Sequence, residues 1–367
     1  MNRVKEQKLW ISGYYFQKIS EVTQMDKLII ASTRSNAGKT SVIIGMTKSL
    51  GKEFGYLKPF GDRLFYRKKR LWDYDAALMA NIFNLEENPE DMSMGFEHSK
   101  VRYMYDQEST KQKLLEMISD MGEQKEQIFI EGGHNLSYGT SVNLDSISLT
   151  KHVDGKLVIV LSGDEGMVMD DISFITRYVD HTNTDFRGVI INKVSDIDDF
   201  KSTYLDDIHK MGVNVIGIIP HIPQLTYISV HTLLERLFVK VIAGEGGLNN
   251  VTKNIFIGVT SADAVHFDPL FKREGKLVIT SGDRSDMIVT ALEHDTSCII
   301  LTNNIVPAAN ILARASEANI PLLLVPEDTY QVVRQIDGMD NIISKNETDK
   351  INKLQKLAED HIDMGKI

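Results

Sequence analysis

The stretch Leu28-Ile-Ile-Ala-Ser-Thr-Arg-Ser-Asn-Ala-Gly-Lys-Thr-Ser41 decides the fold of this chain. Leu28 to Ala31 form an apolar run of strand character, and the residues after it are small and polar. Val42, Ile43, Met46 and Leu50 then recur at helical spacing until Gly51 supplies a stop. A strand, a short loop and a helix in that order leave backbone N–H groups unpaired at the helix start, backed by the positive end of the helix dipole. A polyphosphate satisfies both. In this reading Thr33, Ser35, Asn36, Ala37, Gly38, Lys39, Thr40 and Ser41 form a phosphate-binding loop for ATP. Gly38 permits close backbone approach, Lys39 reaches the outer phosphates, and the Thr40 hydroxyl is placed to ligate Mg²⁺. The strict pattern asks for glycine at position 33, where this chain has Thr33, so the loop is a variant. A bare Gly-Lys-Thr also fits a lysine at an ordinary helix start; the strand before it and the amphipathic helix after it favour the nucleotide.

A length of 367 residues suits two domains, each able to bury its own core. The net charge of −10 argues against nucleic acid or an anionic membrane as the main partner, because phosphate-rich partners need clustered Lys and Arg. A small-molecule metabolite or a protein partner is expected instead. No apolar run is long enough to span a bilayer. The one cysteine, Cys298, excludes a disulfide within the chain and lies in the apolar Ser297-Cys-Ile-Ile-Leu301, which reads as a core strand. A cytoplasmic location is the expectation. Residues 1–24 hold no long apolar stretch or small-residue cleavage site and read as an N-terminal extension ahead of the fold.

Apolar, β-rich runs follow at Phe54–Lys58, Ile128–Glu131, Leu157–Leu161, Gly188–Asn192 and Val213–Ile219, alternating with helical patterns. That rhythm predicts an α/β fold: a mainly parallel sheet with helices on both faces, whose ligands sit at the carboxyl ends of the strands. Lys58, Glu131, Asn192 and Pro220 fall at or just past those ends. Beyond the helical stretch Val230–Phe238 and the turn-rich Gly244–Gly247, a second and smaller α/β unit has strands at Ile255–Val259, Lys276–Thr280, Cys298–Thr302 and Leu322–Val325. Its helices fall near Asp286–Leu292 and Ala308–Ala318. The expected divisions are 25–228 and 229–345, followed by a C-terminal helix in 346–367.

Three acidic positions compete to complete the first site. Glu131 ends a buried strand before Gly132-Gly133, so its carboxylate points at the cleft; otherwise it is a rim ion pair. Asp75, two residues after Asp73, opens a helix and serves either as a metal ligand or as an N-cap. Magnesium takes oxygen ligands and few carboxylates, so Thr40, Asp75 and Glu131 suffice. Lys58, before Pro59, is placed to hold an anionic substrate or the transferred phosphoryl group, or else is a solvated strand-end lysine. The basic run Arg63, Arg67, Lys68, Lys69, Arg70 reads as a solvated loop or as a lid over polyphosphate. In the second unit, Asp283 and Arg284 make either an anion pocket or a turn held by an ion pair, with Asn303 and Asn304 on the same edge.

With these residues in view the chain resembles a known group. Thr33-x-Ser35-x-x-Gly38-Lys39-Thr40, Lys58-Pro59, Asp75-Ala-Ala-Leu, Glu131-Gly-Gly and Asn192 look like the dethiobiotin synthetase and cobyrinic acid amide synthase branch of P-loop proteins. Leu277-Val-Ile-Thr-Ser-Gly-Asp-Arg-Ser-Asp286, Leu301-Thr-Asn-Asn304 and Pro307 resemble a DRTGG-type domain. That order is similar to the N-terminal half of long phosphate acetyltransferases, and no acetyltransferase catalytic domain is recognisable behind it, so a stand-alone counterpart is expected. The resemblance implies Lys39 on phosphates, Thr40, Asp75 and Glu131 around Mg²⁺, Lys58 towards substrate and Asn192 on the adenine edge. Catalytic roles then fall to Lys39, Lys58 and Glu131. The synthetase loop carries an acidic residue where Asn36 sits. Arg34 stands where a related branch of dimeric ATPases has a lysine that reaches the partner's nucleotide; the other reading is a solvated arginine. A homodimer or higher homo-oligomer is expected by the same likeness. Two functional classes stay open. One is an enzyme that hydrolyses ATP or passes its γ-phosphate to a small carboxylate or carbamate. The other is a nucleotide- or metabolite-sensing module acting on a partner enzyme such as phosphate acetyltransferase.

Overall fold

The computed structural model describes residues 25–67, 70–121, 124–179, 183–237, 239–258, 262–337 and 343–367. The extension 1–24, Lys68 and Lys69 of the basic run, Phe238 and Val259 lie outside them. The chain divides into two compact units, one running to His221 and resuming at Lys345–Ile367, the other Ile222–Ser344. The division comes earlier than the expected 228/229. The terminal helix, expected as a separate closing element, belongs to the first unit.

In the first unit the elements run β1 (Asp26–Ser32), α1 (Lys39–Leu50), β2 (Phe54–Leu57), β3 (Leu64–Arg67), β4 (Arg70–Asp73), α2 (Tyr74–Phe83), α3 (His98–Met104), α4 (Gln107–Asp120), β5 (Gln127–Glu131), α5 (Ser146–Val153), β6 (Lys156–Leu161), α6 (Glu165–Tyr178), β7 (Asp185–Val194), α7 (Ile197–Lys210) and β8 (Val215–Pro220). Six strands form one sheet in the order β2-β5-β1-β6-β7-β8, and every pair is parallel. Consecutive residues Leu28 to Ala31 are fully buried, so both faces of the sheet are covered, as a parallel sheet requires. The register sets Ile30 opposite Glu131 and Leu57 opposite Ile130. The loop after β1, Glu131 and Lys58 therefore lie side by side on the carboxyl edge of three adjacent strands.

The basic run departs from the expected loop: Leu64–Arg67 and Arg70–Asp73 pair as an antiparallel hairpin. Leu64, Phe65, Tyr66, Leu71 and Trp72 are residues of strand preference. The connection lacks the Asn-Gly type of turn that announces a hairpin, so the pattern of charges points to a loop.

The second unit contains β9 (Ile228–Ser229), α8 (Val230–Arg236), β10 (Lys240–Ala243), β11 (Val251–Thr252), β12 (Asn254–Ile257), α9 (Ala262–Val265), β13 (Lys276–Ser281), α10 (Ser285–Leu292), β14 (Thr296–Thr302), α11 (Ala309–Glu317), β15 (Leu322–Leu324) and α12 (Thr329–Asp337). Its sheet runs β10-β15-β14-β13-β12, with β10 antiparallel at one edge and the rest parallel. One face packs Val278, Ile299 and Leu301 on α10 and α11, and the other packs Leu277, Ile279 and Ile300 on α8 and α12. Cys298 is buried in the second of these cores, and burial pushes its thiol far up, as expected of an inert core residue.

α13 (Thr348–His361) then returns to the first unit and lies against α1. The contact depends on a missing side chain: a Cβ at Gly45 would stand 2.6 Å from the Leu354 carbonyl oxygen. The chain next runs beside the edge strand, where the Asp363 N–H donates to the Ile216 carbonyl at 2.9 Å. Among the described residues no helix is long and apolar enough to cross a membrane.

Candidate functional site

The loop between β1 and α1 is held from several sides. Asn36 has φ 60° and Gly38 φ 98°. A Cβ on Gly38 would lie 2.3 Å from Asn192 Nδ2, so only glycine fits there. Asn192 Nδ2 donates to the Ala37 carbonyl at 2.9 Å, Lys193 Nζ to the Asn36 carbonyl at 2.6 Å, and Arg63 Nη2 to Asn36 Oδ1 at 3.1 Å. On the opposite flank Thr33 Oγ1 and Arg34 Nε donate to Asp171 Oδ2 at 2.7 and 2.9 Å, and Arg34 Nη2 to Asp171 Oδ1 at 2.9 Å. Arg34 is thus paired within its own chain. Lys39 arches back so that Nζ donates to Ser32 Oγ at 2.9 Å; burial lowers its pKa, partly offset by Glu131. No side chain caps α1, which leaves its first turn open to an anion.

Beside the loop lies a buried charge cluster centred on Lys58. Its Nζ is 2.5 Å from Asp62 Oδ1 and from Asp75 Oδ2, 3.6 Å from Asp73 Oδ1 and 3.8 Å from Glu131 Oε1. Burial works to lower the Lys58 pKa, and the four carboxylates overcome it and hold the group well above the ordinary lysine value. Asp73 is the N-cap of α2, accepting from the Asp75 and Ala76 N–H groups, while its other oxygen accepts from the N–H groups of Asp62 and Arg63. The capping role considered for Asp75 therefore falls to Asp73. Asp75 is left to Lys58 and to Arg63 Nη1 at 3.2 Å. Burial acts to raise Asp75, but Lys58 and Arg63 outweigh it and hold the carboxyl at about 2, whereas burial dominates at Asp73 and lifts it to about 6.

Glu131 joins the cluster to the loop. Its Oε1 accepts from the Thr40 hydroxyl at 3.0 Å and its Oε2 from the Tyr56 hydroxyl at 2.9 Å. Burial raises it to about 7 against the pull of Lys58. Asp62, Asp73 and Asp75 each offer an oxygen, all within 4.8 Å of one another. These are oxygen donors of the kind a hard divalent cation takes, and the Lys58 ammonium is seated on two of them.

Lys39, Thr40, Lys58, Asp75 and Glu131 are thus brought together at one edge of the sheet. Ser35 is exposed on the loop, and Ser41 is half-buried in the first turn of α1. Asn192 spends its amide on the loop and on the Lys193 N–H. Pro220 pairs with Val194 at the end of β8, on the far side of the sheet from β2. Sequence reasoning missed Tyr56, Asp62 and Asp171. Asp171 carried a signal, since it shares a helical face with the apolar Val168, Ile172 and Ile175. In the second unit Arg284 lies on Asp286, with Nε–Oδ1 at 3.1 Å, and a Cβ at Gly282 would meet the Ile305 carbonyl at 1.7 Å, which brings the Asp283 turn and the Asn303-Asn304 turn to one edge.

The matched family stretches meet between residues 229 and 232, beside the expected 228/229 and a few residues after the structural division at His221/Ile222. Residues 26–229 match the family model of an AAA domain, and residues 232–339 match that of a DRTGG domain. The chain is 21% identical over 365 residues to a phosphate acetyltransferase of Nitratidesulfovibrio vulgaris, covering 93% of this chain and 51% of that protein. It is 24% identical over 369 residues to the phosphate acetyltransferase of Pseudomonas putida, covering 92% and 51%. The chain therefore spans about half the length of the curated relatives it matches. A solved structure of the CBS and DRTGG domains of the regulatory region of Clostridium perfringens pyrophosphatase, complexed with the activator diadenosine tetraphosphate, aligns at 19% identity with a TM-score of 0.29, covering 34% of this chain and 51% of that one. The phosphate loop, the carboxylates beside it and the parallel sheet beneath them all fall inside the first matched stretch, and the chain belongs to the AAA domain family, with a DRTGG domain following.

Proposed function

We propose that the first unit binds Mg-ATP and cleaves or transfers its γ-phosphate. The observation that carries this is the grouping at the open start of α1: Lys39 held on Ser32, Thr40 bonded to Glu131, and Glu131 and Asp75 both facing Lys58. Thr40, Glu131 and Asp75 would hold Mg²⁺, which supplies charge neutralisation at the phosphates. Lys39 and the first-turn N–H groups bind the outer phosphates, and Tyr56 orients Glu131.

Mg-ATP at a hundredfold excess over its Kd stabilises the fold by about 2.7 kcal/mol, and Lys39→Ala removes that gain. Thermal unfolding with and without Mg-ATP checks it, and an unshifted wild-type Tm defeats the reading. Phosphate release from wild type, slowed in Glu131→Gln with binding retained, then supports catalysis.

A second reading is favoured by one observation. Lys58, expected to hold a carboxylate or carbamate substrate, is enclosed by four carboxylates, which repel such an anion. On this reading the chain is a nucleotide-responsive module acting on a partner such as phosphate acetyltransferase. Wild type that binds Mg-ATP but releases no phosphate with any small carboxylate present favours it. Homodimer formation belongs to either version, and a monomeric mass in solution at micromolar concentration, with and without Mg-ATP, refutes it.

A further inference from the structure

Thr33 stands where a strict phosphate loop has glycine, and Arg34 follows it. Both side chains end on one acceptor, Asp171 of α6. The carboxylate is only 10% exposed, and each of its oxygens is engaged: Oδ2 by the Thr33 hydroxyl and Arg34 Nε, Oδ1 by Arg34 Nη2. Two parallel N–H donors on two carboxylate oxygens form the strongest and most directional pairing available to these groups. Asp171 also stands on the face of α6 that packs Val168, Ile172 and Ile175 into the core, so its position is fixed by the fold.

The far half of the loop is held differently, by Asn192 on the Ala37 carbonyl and Lys193 on the Asn36 carbonyl, both from the end of β7. The near half has Asp171. A loop tethered at both ends by rigid elements needs little further ordering when a ligand arrives, and the affinity gained by such pre-organisation comes from conformational entropy already lost in the free protein.

We propose that Asp171 is a positioning residue for the phosphate loop. Through Thr33 and Arg34 it sets the near half of the loop in the ligand-free protein, and so raises affinity for the polyphosphate of the nucleotide without touching it. The threonine at position 33 and the arginine at 34 are, on this view, the loop's side of the clamp. The proposal rests on the nucleotide reading above and is tested so that the two fail separately.

The experiment uses the full chain as wild type, Asp171→Asn, Arg34→Ala, Arg34→Lys and the double variant Arg34→Ala/Asp171→Asn. Hydrogen exchange of the peptide covering residues 32–38 is followed without ligand, and Mg-ATP binding is measured by calorimetry. Asp171→Asn and Arg34→Ala are each expected to speed exchange in that peptide and not elsewhere, and to weaken Mg-ATP roughly tenfold. The double variant is expected to be no worse than either single one, because one interaction is lost in all three. Arg34→Lys, which keeps the charge but loses the fork, is expected to fall between wild type and Arg34→Ala. Unchanged loop exchange in Asp171→Asn overturns the proposal. Additive effects of the two single changes overturn it, and so does faster exchange with unaltered Mg-ATP affinity. A wild type that takes up no Mg-ATP overturns both the nucleotide reading and the stated purpose of the clamp, while faster, non-additive exchange in that case still attributes the loop's anchoring to Asp171.

Discussion

Lys58→Met is expected to destabilise the first unit by about 3–5 kcal/mol at pH 8, the usual result of removing one partner from a buried charge cluster. The substitution keeps bulk and removes the one charge that faces Asp62, Asp73, Asp75 and Glu131 together. Arg63 stays on Asp75, with its own side chain 23% exposed. Uncompensated carboxylates gain folded-state pKa values above their unfolded ones. Over that window the folded state binds more protons than the unfolded state, so acidification stabilises the variant relative to wild type. The deficit therefore shrinks between pH 8 and pH 5. Urea unfolding followed by tryptophan fluorescence reports on the first unit, since Trp72 stands in β4 and Ile222–Ser344 contains no tryptophan. A loss under 1 kcal/mol at pH 8, or one that does not shrink at pH 5, counts against the cluster's role.

Glu131→Gln changes the slope of stability against pH. Burial lifts the Glu131 carboxyl from 4.5 to about 7 in the folded chain. Between those values the folded protein holds a proton that the unfolded chain has released, so stability falls as pH rises from about 5 to 8. Glutamine does not titrate, and this part of the slope, roughly 2–3 kcal/mol across the window, disappears in the variant. Asp73, raised to about 6, contributes with the same sign and leaves a residual slope. Asp75, held at about 2, acts in the opposite sense: the stability it provides is present above its unfolded value of 3.8 and is lost only as pH falls towards 2, outside this window. Urea curves for both proteins in magnesium-free buffer check the expectation, and parallel pH profiles refute it.

The part of the site that could be read from sequence is the part written in contiguous residues. The run Leu28–Ser41 specifies strand, loop and helix through periodicity and glycine, and the structure shows β1, the loop and α1 there. Lys58 and Glu131 were legible because each ends an apolar run, which puts it on the strand-end edge whatever the details of packing. Contacts set by tertiary structure were not legible. Tyr56 lies inside an apolar run, and nothing in the sequence shows that its hydroxyl meets Glu131 across the neighbouring strand. Asp62 becomes a partner of Lys58 only because the chain turns after Phe60, and β10 was missed because a short antiparallel edge strand leaves little periodic trace. Asp171 shows in the sequence as an acid on an apolar helical face, but its contacts with Thr33 and Arg34 are set by tertiary structure.

The return of α13 to α1 sets a condition on how this polypeptide is made. Residues up to β8 are translated first, yet the face of α1 around Gly45 and the Gly217 side of β8 have no cover until Thr348–His361 and the residues behind it exist. At about 5–20 residues per second, translation of Ile222–Ser344 takes on the order of ten seconds. Throughout that interval the unit that was started first has an unfinished surface beside its phosphate loop, while the last strand of the inserted unit's sheet, β15, is made about 20 residues before its end. The chain thus completes its middle before its beginning, and a polypeptide ending at Ser344, once released, is expected to present a folded second unit and a first unit still open along α1.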